Sequence, residues 1–108
     1  MKKIKLYWTP FADASLKEIR AYIVKETYSE EIADRYINKL IDRVDQLKDF
    51  PNSGQEEELL KQIKQNSRYL VEGNYKIIYQ YQDNTVIITD VFNARQYPAK
   101  IVKRNKHK

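Results

Sequence analysis

RYLVEGNYKIIYQYQDNTVIITDVF, at residues 68–92, has the pattern of consecutive β-strands. Three runs rich in β-branched and aromatic residues are separated by two short turns, Gly73-Asn74 and Asp83-Asn84. Glycine, asparagine and aspartate tolerate the positive φ angles that tight hairpin turns require. The segment therefore predicts an antiparallel three-stranded meander. The alternation of side chains along a strand places residues 75, 77, 79 and 81 on one face of it.

Two amphipathic helices are predicted before the meander. Thr9-Pro10 begins the first, because threonine can cap a helix and proline has no N–H to leave unbonded. That helix should end near Thr27, Ser29 should cap the second, and Phe50-Pro51 should end it. Apolar residues recur at intervals of three and four, which indicates one buried face in each helix. These residues are Ala12, Leu16, Ile19 and Ile23 in the first helix and Ala33, Ile37, Leu40, Val44 and Leu47 in the second.

The predicted fold is α+β with the order β-α-α-β-β-β, a helical hairpin packed on an antiparallel sheet. Its first strand lies at residues 4–9, where apolar and polar side chains alternate. Residues 55–66 are polar and ambiguous, and one short helix around Leu59, Leu60 and Ile63 is possible there. The 108 residues fit a single domain that spans 1–108 and ends in a basic tail at about residues 99–108.

Composition excludes several kinds of site. The chain has no cysteine and one histidine, His107, which argues against disulfides, zinc sites and a serine–histidine pair. Neither a metal nor another cofactor is expected. No stretch approaches the about 18 uncharged apolar residues of a membrane span. Lys5 interrupts the apolar run that a signal peptide would need. We therefore expect a cytoplasmic protein without membrane contact.

The charge of the chain permits two kinds of partner. Lysine and arginine number 20 against 15 acidic residues, a net charge of +5, although residues 56–58 form an acidic cluster. A basic excess of this size suits a nucleic acid or an acidic protein and specifies neither.

One basic and aromatic surface is the candidate functional site. It comprises Arg68, Tyr69, Lys76, Arg95 and Tyr97, and Lys61 and Lys64 border it. Cationic groups can hold phosphate oxygens and tyrosine rings can stack on bases. The competing interpretation is that most of the nine tyrosines serve in packing. For Arg95 we favour function, since a cation at a strand exit is poorly placed for the core. Glu72 and Asp90 are interpreted as solvated or paired rather than as general bases.

In these residues the chain resembles the RelE/ParE superfamily of type II toxin–antitoxin toxins. The resemblance runs in order from residue 4 to about residue 98. Its features are Trp8-Thr9-Pro10, Phe50-Pro51 followed by Gly54, the strand from Tyr75 to Tyr79, and Arg95 after Val91-Phe92-Asn93-Ala94. Each feature alone is weakly specific, and their ordered set is fairly specific.

The resemblance implies a compact toxin held inactive by a cognate antitoxin, whose extended or helical segment wraps it. Operator DNA would be bound only through the antitoxin complex. Two activities are known in the superfamily. RelE-like members cleave mRNA on the ribosome with basic residues and no metal, and ParE-like members inhibit DNA gyrase.

When the functional residues of the superfamily are compared with this sequence position by position, three functional hypotheses remain open. Lys76 stands where RelE-like enzymes have an arginine, Arg95 keeps the late basic position, and Tyr97 can replace a C-terminal tyrosine. Ser67 and Tyr69 stand where ribonucleases carry a lysine pair. Unassisted lysine and tyrosine are poor acids and bases near neutral pH. We therefore favour the hypothesis that the chain is a gyrase inhibitor. The alternatives are a ribosome-dependent endoribonuclease, with Lys76, Arg95 and Tyr97 catalytic, and a non-toxic relative that binds only antitoxin and DNA.

Overall fold

Within the part of the chain that the structure describes, five strands form one sheet in the spatial order Lys5–Trp8, Thr85–Asn93, Tyr75–Gln82, Arg68–Glu72 and Gln55–Glu56. A computed structural model describes residues 3–61 and 66–95. Lys64, Tyr97, Ile63 and the basic tail lie outside the described residues. The elements are β1 (Lys5–Trp8), α1 (Pro10–Thr27), α2 (Glu30–Asp45), a 3-10 turn (Gln46–Lys48), β2 (Gln55–Glu56), α3 (Glu58–Lys61), β3 (Arg68–Glu72), β4 (Tyr75–Gln82) and β5 (Thr85–Asn93). The α+β class and the helical hairpin are confirmed.

Side-chain caps define the start of each long helix as predicted. The Thr9 hydroxyl accepts a hydrogen bond from the Ala12 N–H at 3.1 Å. The Ser29 hydroxyl accepts one from the Ile32 N–H, also at 3.1 Å. Between the helices, the Arg20 guanidinium lies 2.8 Å from the Asp34 carboxylate. The hairpin is thus specified by local caps, and an exposed ion pair joins its two arms.

Tyr28 forms the tip of this hairpin in an unusual backbone conformation. Its φ is 55°, in the left-handed region that glycine adopts at the ends of many helices. Its N–H donates to the Val24 carbonyl at 2.7 Å and so closes α1. The side chain is 92% exposed. Packing therefore does not offset the steric strain that a β-carbon causes at this φ.

Replacing Tyr28 with glycine should raise the free energy of unfolding by about 0.5–1 kcal/mol, because loss of the strain exceeds the extra freedom of glycine in the unfolded chain. Tyr28→Ala is the matched control, since it keeps the β-carbon and should leave stability nearly unchanged. Urea unfolding of both variants measures the difference. Equal stabilities for the glycine and alanine variants would contradict the strain at this position.

The meander is present with both predicted turns. Gly73 has φ 58°, and Asp83 and Asn84 have φ 52° and 58°. β4 pairs antiparallel with β3 and with β5, and its register with β5 shifts between Ile78 and Tyr79. The residues predicted to share a face of β4 all pack in the main core with the helical hairpin: Tyr75, Ile77, Tyr79 and Tyr81.

The first strand departs from a wholly antiparallel sheet. β1 pairs with β5 in parallel, with Leu6 opposite Val86 and Trp8 opposite Ile88. Parallel neighbours need a long crossover connection, and the helical hairpin lies within that connection. The prediction identified the strand but not its direction relative to its neighbour, which depends on how the hairpin packs.

The sheet carries a hydrophobic cluster on each face. The main core contains the buried faces of α1 and α2, including Leu16, Ile19, Leu40 and Val44. The smaller cluster consists of Leu60, Ile78 and Phe92, with Leu59 and Tyr69 packed against it. The ambiguous polar segment therefore supplies β2, α3 and the cover of this second cluster. Within the described residues, no helix combines the length and apolar character needed to cross a membrane.

Candidate functional site

Four of the seven predicted site residues lie in or next to one segment: Lys61, Arg68, Tyr69 and Lys76. We call residues 55–61, which comprise β2 and α3, the covering segment. Gln55 and Glu56 pair with β3 in the register Gln55–Tyr69 and Glu56–Arg68. Leu60 is fully buried in the smaller cluster. The segment thus lies against the sheet next to the side chains of β3 and β4.

Lys76 is engaged by this segment. Its ammonium donates to the Glu57 carboxylate at 3.0 Å and lies 4.1 Å from the centroid of the Tyr69 ring. The Glu57 side chain is only 5% exposed, and its other oxygen accepts a hydrogen bond from the Leu59 N–H at 3.2 Å. A buried carboxylate without a cation is unfavourable. Lys76 therefore serves as the counter-ion that allows Glu57 to be buried.

The other cations of the surface are also bound within the chain. The Lys61 ammonium lies 2.8 Å from Glu56 and 3.4 Å from Glu58. Its hydrogen bond lowers the pKa of the Glu56 carboxyl. The Arg68 guanidinium donates to the Gly54 carbonyl at 2.9 Å. A phosphate at this surface would have to compete with these internal acceptors.

Tyrosines fix the chain that leads into the covering segment. The Tyr79 hydroxyl donates to the Pro51 carbonyl at 2.8 Å and accepts from the Gly54 N–H at 2.9 Å. Burial raises the pKa of the Tyr79 phenol, although the hydrogen bond from Gly54 opposes the shift. The hydroxyl is thus protonated at neutral pH and remains a donor. The Tyr69 hydroxyl likewise donates to the Gln55 side chain at 2.9 Å. Both rings act in packing and positioning.

Arg95 lies in a different place. It lines a pocket of about 390 Å³ with Glu18 and Tyr22 of α1, Tyr75 of β4 and Phe92 of β5. Lys61, Arg68, Tyr69 and Lys76 do not line that pocket. None of the ion pairs among the described residues involves Arg95. The structure therefore separates the predicted residues into a group around the covering segment, whose cations bond to acceptors of the chain, and Arg95, which lines a different pocket. Lys64 and Tyr97 lie outside the described residues.

Two acidic residues show what sequence reasoning found and what it missed. Asp90 is fully buried and accepts a hydrogen bond from the Ser15 hydroxyl at 3.4 Å, so it is paired, as interpreted. Glu57 was not singled out as a partner of Lys76. The sequence shows only the acidic cluster at residues 56–58 and does not indicate which of these glutamates is buried.

Comparison with known proteins identifies the family. A model of the family described as "ParE toxin of type II toxin-antitoxin system, parDE" matches residues 6–98. The fold is similar to a solved structure described as "Chromosomal ParDE TA system from P. aeruginosa", with a TM-score of 0.69 and 19% identity over 84% of this chain and 96% of that chain. No match was found among the curated proteins. Since the family match covers most of the sequence, the chain belongs to the ParE toxin family of type II toxin–antitoxin systems.

Proposed function

We propose that this chain arrests growth by binding DNA gyrase and that a cognate antitoxin holds it inactive. Membership of the ParE family supports the toxin role and implies an antitoxin partner. Binding to operator DNA would occur through the antitoxin complex, and the target places the site of action in the cytoplasm. Arg95 is the residue that we expect to contact the target.

The pairing of Lys76 with Glu57 is the observation that favours gyrase over RNA cleavage. Cleavage at a 2′-hydroxyl needs a base, an acid and cations that stabilise the charged phosphorane. Lys76 is the residue on β4 that would supply such a cation, and a buried carboxylate 3.0 Å away already neutralises it. A scissile phosphate could use Lys76 only by displacing Glu57, whose carboxylate would then be buried without a partner.

The ribonuclease remains the second candidate because of Arg95. Its guanidinium forms no ion pair among the described residues and lies just after the end of β5, the late basic position of RelE-like enzymes. In that reading Arg95 binds the phosphate, with Lys76 and Tyr97 as its catalytic partners. The third reading, a non-toxic relative, predicts that overproduction of the folded protein is harmless. The leading proposal predicts growth arrest that the neighbouring reading frame relieves.

We expect Arg95→Ala to abolish toxicity and gyrase inhibition while the melting temperature stays nearly constant, because an exposed cation contributes little to folding. Lys25→Ala, which removes an exposed cation outside the pocket, is the matched control and should remain toxic. Gyrase supercoiling assays, run beside in vitro translation with mapping of mRNA ends, measure both activities.

Lys76→Ala separates the two targets in the same assays. If gyrase is the target, Lys76→Ala should lose less inhibition than Arg95→Ala. Any loss should be accompanied by a lower melting temperature, since Glu57 loses its counter-ion. If RNA is cleaved, the cleavage rate should fall by about 10²-fold or more. The gyrase proposal is wrong if the wild-type protein cuts ribosome-bound mRNA, the Lys76 variant does not, and neither affects supercoiling.

A further inference from the structure

The pocket between α1 and β5 has two tyrosines, Tyr22 and Tyr75, in its lining. Tyr75 is 9% exposed and forms part of its inner lining, whereas Tyr22 is 57% exposed on α1. A volume of about 390 Å³ lies in the range of pockets that bury small ligands or bulky side chains. Tyrosine offers a large rigid contact area and is enriched among the residues that dominate binding energy. The two tyrosine rings therefore offer contact area for an apolar group within a lining that also carries polar side chains.

The Tyr75 phenol of the pocket stays neutral and can donate a hydrogen bond. Burial raises the pKa of the Tyr75 phenol, and the neighbouring hydroxyls of Tyr22 and Tyr36 add to the shift. An uncharged tyrosine wall accepts both the apolar body of a ligand side chain and the carbonyl groups of a peptide backbone.

Backbone hydrogen bonds hold Arg95 at the edge of this pocket. The Arg95 N–H donates to the Asn93 side-chain oxygen at 2.8 Å, and the Ala94 N–H donates to the Asn74 carbonyl at 2.6 Å. The turn after β5 is thus tied to the turn before β4. These bonds fix the backbone from which the Arg95 side chain extends, and its guanidinium can bind a carboxylate in a two-pronged geometry.

The charges of the lining favour a peptide over a nucleic acid. Among the described lining residues, Arg95 is the cation and Glu18 is an acid, and neither takes part in an ion pair described for the chain. Glu18 would repel successive phosphates of a nucleic acid strand. A peptide can place one carboxylate at Arg95 and backbone N–H groups at Glu18. The net charge of +5 also suits an acidic protein partner.

We propose that this pocket receives a bulky apolar side chain of the antitoxin and that Arg95 pairs with a carboxylate next to that side chain. The inference rests on the proposed function, in which an antitoxin binds the chain. Docking here would cover Arg95, the residue that the proposed function requires for toxicity, and so would account for inhibition by direct occlusion.

The test measures binding of the toxin chain to the product of the adjoining reading frame by titration calorimetry. Tyr22→Ala and Arg95→Ala should each weaken binding by about 30-fold or more, the loss expected at a dominant contact. Tyr28→Ala is the control, because it removes a tyrosine that is 92% exposed and does not line the pocket. Tyr22→Phe keeps the ring and should bind nearly as well as the wild type.

A charge exchange then identifies the carboxylate. Arg95→Glu should weaken binding, and one acid-to-lysine change in the partner should restore it. Alanine is a good helix former, so Tyr22→Ala should retain the fold, which circular dichroism verifies. If the wild type binds and the Tyr22→Ala and Arg95→Ala variants bind with the same affinity, the pocket inference is wrong and the antitoxin partnership still holds. Absence of wild-type binding overturns the antitoxin partnership and the pocket inference with it.

Discussion

Replacing Leu40 with alanine should lower the free energy of unfolding by about 2–5 kcal/mol. Leu40 is 1% exposed and belongs to the core between the helical hairpin and the sheet. Truncation removes buried apolar surface and leaves a cavity that rigid neighbours fill only in part. Chemical denaturation of the two proteins measures the difference.

Ile41→Ala provides the control on the same helix. Ile41 is 42% exposed, so its truncation should destabilise the protein by less than about 1 kcal/mol. A loss below about 1 kcal/mol at Leu40, or equal losses at both positions, would mean that the buried face of α2 is misassigned.

Gly54→Ala should destabilise the protein by about 2–4 kcal/mol, the sum of overpacking and a weakened buried hydrogen bond. A β-carbon at Gly54 would lie 2.5 Å from the Tyr79 hydroxyl and 2.9 Å from the Tyr69 carbonyl. Tyr79 is fully buried, and its hydroxyl is bonded on both sides, so it has little room to move. Thermal and urea unfolding of the variant measure the loss.

Gly73→Ala is the matched control. The chain has two glycines, and Gly54 is needed for space whereas Gly73 is needed for its backbone conformation. Gly73 has φ 58° and open space around the position of a β-carbon. Alanine there should cost only the backbone strain, about 1 kcal/mol. A loss at Gly54 no larger than the loss at Gly73 would refute the close approach of Tyr79 as the reason for glycine.

The covering segment links this part of the fold to function. Arg68 donates to the Gly54 carbonyl, Tyr79 anchors Pro51 and Gly54, and Lys76 holds Glu57. Cations and tyrosines that the sequence suggested for a nucleic-acid surface therefore hold a segment of the same chain. Among the described residues of the candidate site, Arg95 is exposed, takes part in no ion pair and lines a pocket of its own.

Local features were predictable because they depend on residues a few positions apart. The Thr9 and Ser29 caps bond to N–H groups three residues ahead. The turns at Gly73 and Asp83-Asn84 rest on backbone conformations that those residue types favour. Given the meander, the alternation of side chains along β4 predicts that Tyr75 and Tyr79 share a face, and that face packs in the main core. These signals, in their order along the chain, also carried the resemblance to the toxin family, which the family match confirms.

Long-range packing determined the remaining features. Glu57 and Lys76 are 19 positions apart, and Gly54 and Tyr79 are 25 apart. Nothing within a few residues of Gly54 distinguishes it from an ordinary loop glycine. Likewise, the three consecutive glutamates cannot be distinguished by their neighbours in the sequence. Glu57 becomes the buried one only when α3 packs on the sheet. Lys76 lies within a strand pattern and Arg95 directly after one, yet the pattern does not indicate their environments. The structure places α1 next to Arg95 and the covering segment next to Lys76.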